Sequence, residues 1–156
     1  MKVSGLKIKE AERKDLKQIV KLQVAQADYH KRIDPEYYKS GKERKERFKK
    51  LLREYFAKKR RNKKIVVAKI NGRVVGYFIG TIHKAPPFCR QEKIGEITHA
   101  FVEEKHRGKG IGKALFDELL KWFKKRKIKL LKFQLTLETK SQSLPTKNMD
   151  FRRFGK

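Results

Sequence analysis

At 156 residues the chain has room for one ordinary domain and not for two, and a domain of that size needs neither disulfide nor structural metal to close its core. The single cysteine, Cys89, excludes an internal disulfide, sits in no metal-ligand spacing and favours a reducing compartment. Lys and Arg number 44 against 17 Asp and Glu, a net charge of +27, which predicts attraction to polyanions without choosing among nucleic acid, an anionic membrane surface and a phosphorylated small molecule.

The opening residues, MKVSGLKIKE, carry no apolar run of the signal-peptide kind, and no stretch of about 18 uncharged apolar residues occurs. The expectation is a cytoplasmic protein without a membrane segment. Val3, Leu6 and Ile8 suggest a short first strand, broken at Gly5. Leu16, Ile19, Val20, Val24 and Ala27 form a helical stripe within Ala11 to Arg32. Asp34-Pro35 stops it, because the residue before a proline avoids the helical region. A second helix is expected from Lys42 to Arg61, where Phe48, Leu51, Leu52, Tyr55 and Phe56 recur at helical spacing among charged residues. The stretch Lys42–Lys64 holds 13 Lys or Arg against 3 Glu. That basic patch would allow weak nucleic-acid association, or it is simply a solvated helix face. No stacking-aromatic motif or helix-turn-helix signature accompanies it.

Ile65–Ile70 and Val74–His83 read as strands joined by Asn71-Gly72, a tight-hairpin signal. Ala85-Pro86-Pro87-Phe88 reads as a loop, and Ile94–Val102 as a third strand. Ile111–Lys127 is a helix with Ile111, Leu115, Leu119, Trp122 and Phe123 turned inward. Leu130, Phe133, Leu135 and Leu137 mark a further strand. A helical crossover between Ile94–Val102 and Leu130–Leu137 requires those strands to run parallel. The polar tail, interrupted by Pro145, shows no clear final strand. A short or absent terminal strand would leave a sheet edge exposed or covered by a second copy in a homodimer. The class is α/β: one domain over 1–156, with a mixed, mostly antiparallel sheet flanked by helices and an incomplete or irregular C-terminal strand.

The segment Arg107-Gly108-Lys109-Gly110-Ile111-Gly112-Lys113-Ala114 lies between a strand and a helix. Glycines let successive backbone N–H groups converge on one anion, and the helix behind them adds positive potential at its N-terminus. Arg107, Lys109 and Lys113 add full charges, so a pyrophosphate is the natural guest. The nucleotide P-loop is a poor fit, because Gly112-Lys113 is followed by Ala114 and no hydroxyl is present for magnesium. The dinucleotide fingerprint is a poor fit too, because the glycine spacing is G-x-G-x-G and no carboxylate stands near Leu130–Phe133.

At these residues the chain resembles the GNAT superfamily of acetyl-CoA-dependent N-acetyltransferases. Its cofactor motif, Q/R-x-x-G-x-G/A, is matched by Arg107, Gly110 and Gly112. The strand Gly95–Val102 resembles the family's fourth, and the hairpin Ile65–His83 its second and third. The resemblance covers Lys63 to Leu137 well, the N-terminal helices loosely and the tail poorly. It implies that backbone N–H groups of Arg107, Gly108, Lys109, Gly110, Ile111, Gly112 and Lys113 hold the pyrophosphate of acetyl-CoA. Backbone groups of Ala100 and Val102 would bond the pantetheine arm where two strands part. The N–H of Val102 or Phe101 would polarise the acetyl carbonyl.

An amine acceptor must lose a proton before it attacks, since a lysine amine has a pKa of about 10.4. Glu96 matches the fourth-strand glutamate that serves as base in histone-acetyltransferase-type members. His99 is a second candidate, but simple alternation puts it on the opposite side of the strand, and only a bulge would bring both to one cleft. His83 and His106 read as loop-flanking, His30 as helix surface, and none has metal-ligand spacing. The family's tail tyrosine, which protonates the leaving thiolate, is not matched. An ungapped count places Thr139 and Thr146 at the family's asparagine and tyrosine, so the proton would come from water or from Tyr37, Tyr38 or Tyr77. Tyr37 and Tyr38 fall in the connection that lines the family's acceptor groove. The resemblance thus implies direct acetyl transfer to a primary amine, on a protein or a small molecule, without a metal. The alternatives are a basic nucleic-acid-associated protein and a GNAT-fold protein that binds acetyl-CoA without catalysis.

Overall fold

In a computed structural model, described here over residues 3–39, 41–58, 61–134 and 149–153, the chain forms six strands and three helices. They follow as β1 (Leu6–Glu10), α1 (Leu16–Ile33), α2 (Gly41–Ala57), β2 (Lys63–Ile70), β3 (Arg73–Lys84), β4 (Lys93–Val102), α3 (Ile111–Lys125), β5 (Leu130–Gln134) and β6 (Met149–Arg153). The strands make one sheet in the order β1-β2-β3-β4-β5-β6. Every neighbouring pair is antiparallel except β4 and β5, which run parallel as the α3 crossover requires.

Local chemistry accounts for most boundaries. Asn71 and Gly72 both take positive φ, 50° and 81°, the backbone a two-residue hairpin needs to match strand twist. The first helix begins later than its apolar stripe suggests, at Leu16. Arg13–Asp15 form a 3-10 turn instead, in which the Asp15 carboxylate accepts from the Glu12 N–H at 2.8 Å. That turn buries Asp15 and pairs it with the buried Lys69 ammonium of β2 at 2.6 Å. The second helix stops at Ala57, short of Arg61. Its start is capped from α1, where Asp28 Oδ1 accepts from the Gly41 N–H at 2.7 Å. Tyr55 near its end donates to Glu10 and accepts from the Ile65 N–H, fastening α2 to β1 and β2.

The sheet is covered on both faces. On one face Ile65, Val67, Tyr77, Ile79 and Phe101 pack against α1 and α2. On the other, Val66, Val75, Ile82, Ile97 and Leu131 pack against Ile111, Leu115, Leu119 and Phe123 of α3. Trp122, expected inward, is only partly buried and lies under the Arg126 guanidinium. The tail does supply a final strand, a short one. β6 pairs β5 from Leu130↔Arg153 to Gln134↔Met149. Leu135, Leu137, Thr139 and Thr146 lie outside the described residues. Among the described residues, no helix is long and apolar enough to cross a membrane.

Candidate active site

Among the described residues, β4 pairs with β5 at three positions, Gly95↔Leu131, Glu96↔Lys132 and Ile97↔Phe133. From Thr98 to Val102 no described residue of β5 is paired with its β5-facing edge. The other edge is held by β3, and the Glu103 N–H just past the strand donates to Val75 O. Antiparallel alternation then turns the N–H and C=O of Phe101 toward Tyr77, and those of Ala100 and Val102 toward the β5-facing edge. Of the two amides expected to face an acetyl carbonyl, geometry therefore leaves Val102 and withdraws Phe101. The exposed carbonyls are reached from within the chain. Gln26 Nε2 donates to Ala100 O at 3.2 Å, and Arg107 Nε donates to Val102 O at 2.8 Å. Gln26 in turn accepts from the buried Tyr77 hydroxyl at 3.3 Å, which removes Tyr77 from the solvent-facing proton donors considered above.

The glycine turn follows directly. Gly108 and Gly110 adopt φ of 74° and 81°, a region costly for residues with a Cβ, and Gly110 caps α3 in that conformation. A Cβ at either position would meet nothing within 4 Å, and one at Gly112 would reach only the Val102 side chain at 4.0 Å. The turn thus presents its bare backbone to open space. The Arg107 N–H donates to Glu104 O and the Ala114 N–H to Gly110 O, the first rung of the helix. Between these two bonds lie the amides of Gly108 to Lys113, among them first-turn amides that a helix cannot satisfy itself. The Arg107 amide, expected in the cradle, is thus already used. Its guanidinium bonds Val102 O and stacks 5.5 Å from the Phe101 ring centre. Lys113 pairs with Asp117 at 2.8 Å on the exposed side of α3. A cavity of about 710 Å³ opens beside the turn, lined by Lys21, Arg32, Arg73, Lys105 and Arg107 against Glu103 and Glu104, so that cations outnumber carboxylates in its walls.

Glu96 and His99 share a face of the sheet, contrary to simple alternation. The β3–β4 register slips between Ile79 and Gly80, whose partners are His99 and Ile97, so Thr98 is bulged out of the ladder. The extra residue restores His99 to the side occupied by α1 and α2, where its ring lies 5.4 Å from that of Phe48. Burial, and then the positive charges of Arg44 and Lys63, push the His99 imidazole down to about 4, so it is neutral at neutral pH. Thr98 Oγ1 donates to Ile79 O at 3.4 Å and stands 3.1 Å from His99 Nδ1. With the hydroxyl proton on Ile79 O, the tautomer that matches has its proton on Nδ1 and its lone pair on Nε2. Glu96 is mostly buried, with His83 Nε2 at 3.0 Å from one oxygen and Lys132 Nζ at 3.8 Å from the other.

Two other histidines depart from expectation. His83 is a partner of Glu96 rather than a loop-flanking residue. His30 is buried at 4% exposure rather than on the helix surface, with Tyr38 stacked 4.9 Å away. Desolvation, then Arg44, lowers its pKa. Tyr37 is 64% exposed. Among the described residues, no three His, Cys, Asp or Glu side chains gather as a metal site would require.

The sheet is mixed, with β4 and β5 its one parallel pair among the described residues, and a glycine turn and a helix N-terminus lie between those two strands in the chain. The model of the Acetyltransferase (GNAT) family matches residues 24–151, and the chain belongs to that family. The fold is similar to that of a GCN5-related N-acetyltransferase from Ralstonia eutropha, with TM-score 0.70 and 20% identity over 94% of this chain and 97% of the other. It is also similar to a predicted acetyltransferase from Clostridium acetobutylicum, solved with acetyl-CoA, with TM-score 0.69 and 17% identity over 87% and 84%. A third is a PaiA N-acetyltransferase from Thermoplasma acidophilum in complex with coenzyme A, with TM-score 0.67 and 16% identity over 87% and 82%. No curated protein sequence matches the chain.

Proposed function

We propose that the protein transfers an acetyl group from acetyl-CoA to a primary amine by direct attack, in the cytoplasm. The observation that carries this reading is the outward-facing glycine backbone at the start of α3, placed where the β5-facing edge of β4 ends. Its geometry suits a diphosphate: unobstructed amides, positive φ at two glycines, a helix N-terminus and basic walls. Acetyl-CoA would supply the thioester carbonyl: the amine nitrogen would form the new C–N bond, the C–S bond would break, and coenzyme A would leave as its thiolate and take a proton from water. The chain's own part is to bind, orient and move protons. The amides of Gly108 to Lys113 hold the phosphates, and the edge of Ala100 and Val102 runs alongside the pantetheine arm. The Val102 N–H faces the carbonyl oxygen, where one donor stabilises developing negative charge. Glu96 receives the amine's proton, directly or through a water, while His83 and Lys132 hold its two oxygens in place. Neutral His99, on the same face, accepts a hydrogen bond from the incoming amine.

The test is calorimetric titration with acetyl-CoA followed by a screen of primary amines for thiol release. Binding with acceptor-dependent release supports transfer. Binding without release from any amine would leave an acetyl-CoA-binding protein, and no binding would end the reading.

A further inference from the structure

A second cavity, of about 480 Å³, lies between the α1–α2 connection and β4. Its size is that of a small-molecule site. His99 forms part of its lining, so it reaches the strand that also carries Ala100 and Val102. Its lining holds two kinds of group. The first is hydrogen-bond acceptors. Gln23 is 2% exposed, lines the cavity, and among the described residues its Oε1 has no hydrogen-bond partner. An unpartnered buried acceptor carries a desolvation penalty, which a donor brought by a ligand would recover. His99 adds the Nε2 lone pair of a neutral ring. Both accept from the N–H of a neutral amine.

The second is cations. Lys39, Arg44 and Arg47 line the cavity against a single carboxylate, Glu43, which already faces Lys31 at 3.8 Å. Among the described residues, no carboxylate pairs with Arg44 or Arg47. Their field reaches inward, since Arg44 is among the charges that depress both His99 and His30. Tyr37 and Tyr38 line the cavity as well, edge to face at 4.8 Å. Arginine side chains without protein partners match the paired oxygens of a carboxylate or phosphate.

We propose that this cavity selects as acetyl acceptor a small amine that also bears an oxyanion. The amine lies at Gln23 and His99, and the carboxylate or phosphate lies at Arg44 and Arg47. The proposal rests on the transferase reading and narrows its acceptor. Polyamines, with two or more positive charges, are excluded by the same charges.

Matched pairs of acceptors test it: phosphoethanolamine against ethanolamine, and β-alanine against propylamine, with spermidine as the cationic case. The anionic member of at least one pair is expected to have the higher kcat/KM by about tenfold or more, one charge-assisted contact's worth. Which pair shows it separates phosphate from carboxylate. The R44Q/R47Q variant is expected to lose that preference, whereas K124Q/K125Q, at the far end of α3, keeps it. Equal or better turnover of the neutral amines or spermidine, or a preference that survives R44Q/R47Q, would overturn the proposal. If no amine is acetylated, the transferase reading fails on its own, and the cavity is then read by calorimetry on protein saturated with coenzyme A. Phosphoethanolamine or β-alanine binding that R44Q/R47Q abolishes supports the proposed site, and absence of binding by both overturns it.

Discussion

His83 Nε2 lies 3.0 Å from Glu96 Oε2, a diagonal contact across the β3–β4 ladder in which Glu96 is paired with Thr81 and His83 with Ile94. Lys132 approaches the other carboxylate oxygen from β5 at 3.8 Å. Glu96 is thereby gripped from both neighbouring strands, one residue before Ile97↔Phe133, the last β4–β5 pair among the described residues. A carboxylate fixed in this way keeps one orientation.

Replacing Glu96 with Gln keeps the shape and removes the proton acceptor. A general base contributes about 10²–10⁴-fold, so kcat/KM at pH 7.5 is expected to fall at least about a hundredfold. The deficit should shrink as pH rises toward the amine's own pKa, where the base is no longer needed. Acetyl-CoA affinity should not change. A pH–rate profile of E96Q that parallels the wild type would remove Glu96 from the reaction.

His99 makes acid stability measurable. Its folded pKa, about 4, lies below the ordinary 6.5, so the unfolded chain binds more protons between those values. Stability is therefore complete above about pH 6.5 and is lost as pH falls toward 4, by about 3 kcal/mol at most from this group. His30, lowered by burial, acts in the same direction. Urea unfolding at pH 7.5 and 5.0 should show this loss, and His99→Phe should reduce it. An unchanged pH slope in that variant would contradict the buried neutral imidazole.

Much of this architecture is legible in the sequence because it rests on local pattern. The hairpin follows from Asn71-Gly72, the α3 stripe from Ile111, Leu115 and Leu119, and the cofactor turn from glycine spacing. The bulge at Thr98 has no such mark, since it is a property of two strands in register. Without it, alternation assigns His99 to the wrong face. β6 escapes because Met149–Arg153 is charged and does not alternate. His30 could have been found. It continues the stripe through Ile19, Gln23 and Ala27, and the run reads as exposed only if polar residues are set aside. The partner of Glu96 depends on the β3–β4 loop, whose closure by the Ala85 N–H on Glu92 O sets the register.

The joint between α3 and the sheet depends on Gly95. A Cβ there would lie 2.6 Å from Phe123 Cε1 and 2.7 Å from Leu131 Cδ2, both in the core. Gly95→Ala should destabilise by about 1–3 kcal/mol through overpacking, read as a lower thermal midpoint. Gly112→Ala, whose added methyl meets only Val102 at 4.0 Å, should not.

Asp15 and Lys69 form a buried pair at 1% and 7% exposure. Lys69→Met leaves the Asp15 carboxylate without its counter-charge and should cost about 3–5 kcal/mol, whereas Asp15→Asn combined with Lys69→Met should recover much of that loss. Equilibrium urea unfolding of the single and double variants gives the comparison.

Coenzyme A titration of Gly110→Val tests the central claim most directly. Valine would have to adopt the positive φ of Gly110 and would place its side chain in the open space before the turn. Affinity is expected to fall about tenfold or more, from backbone strain and obstruction together. Gly72→Val, which meets the same φ of 81° in the β2–β3 hairpin, should keep full affinity. Undiminished binding by folded Gly110→Val would contradict a diphosphate held on the bare backbone of that turn.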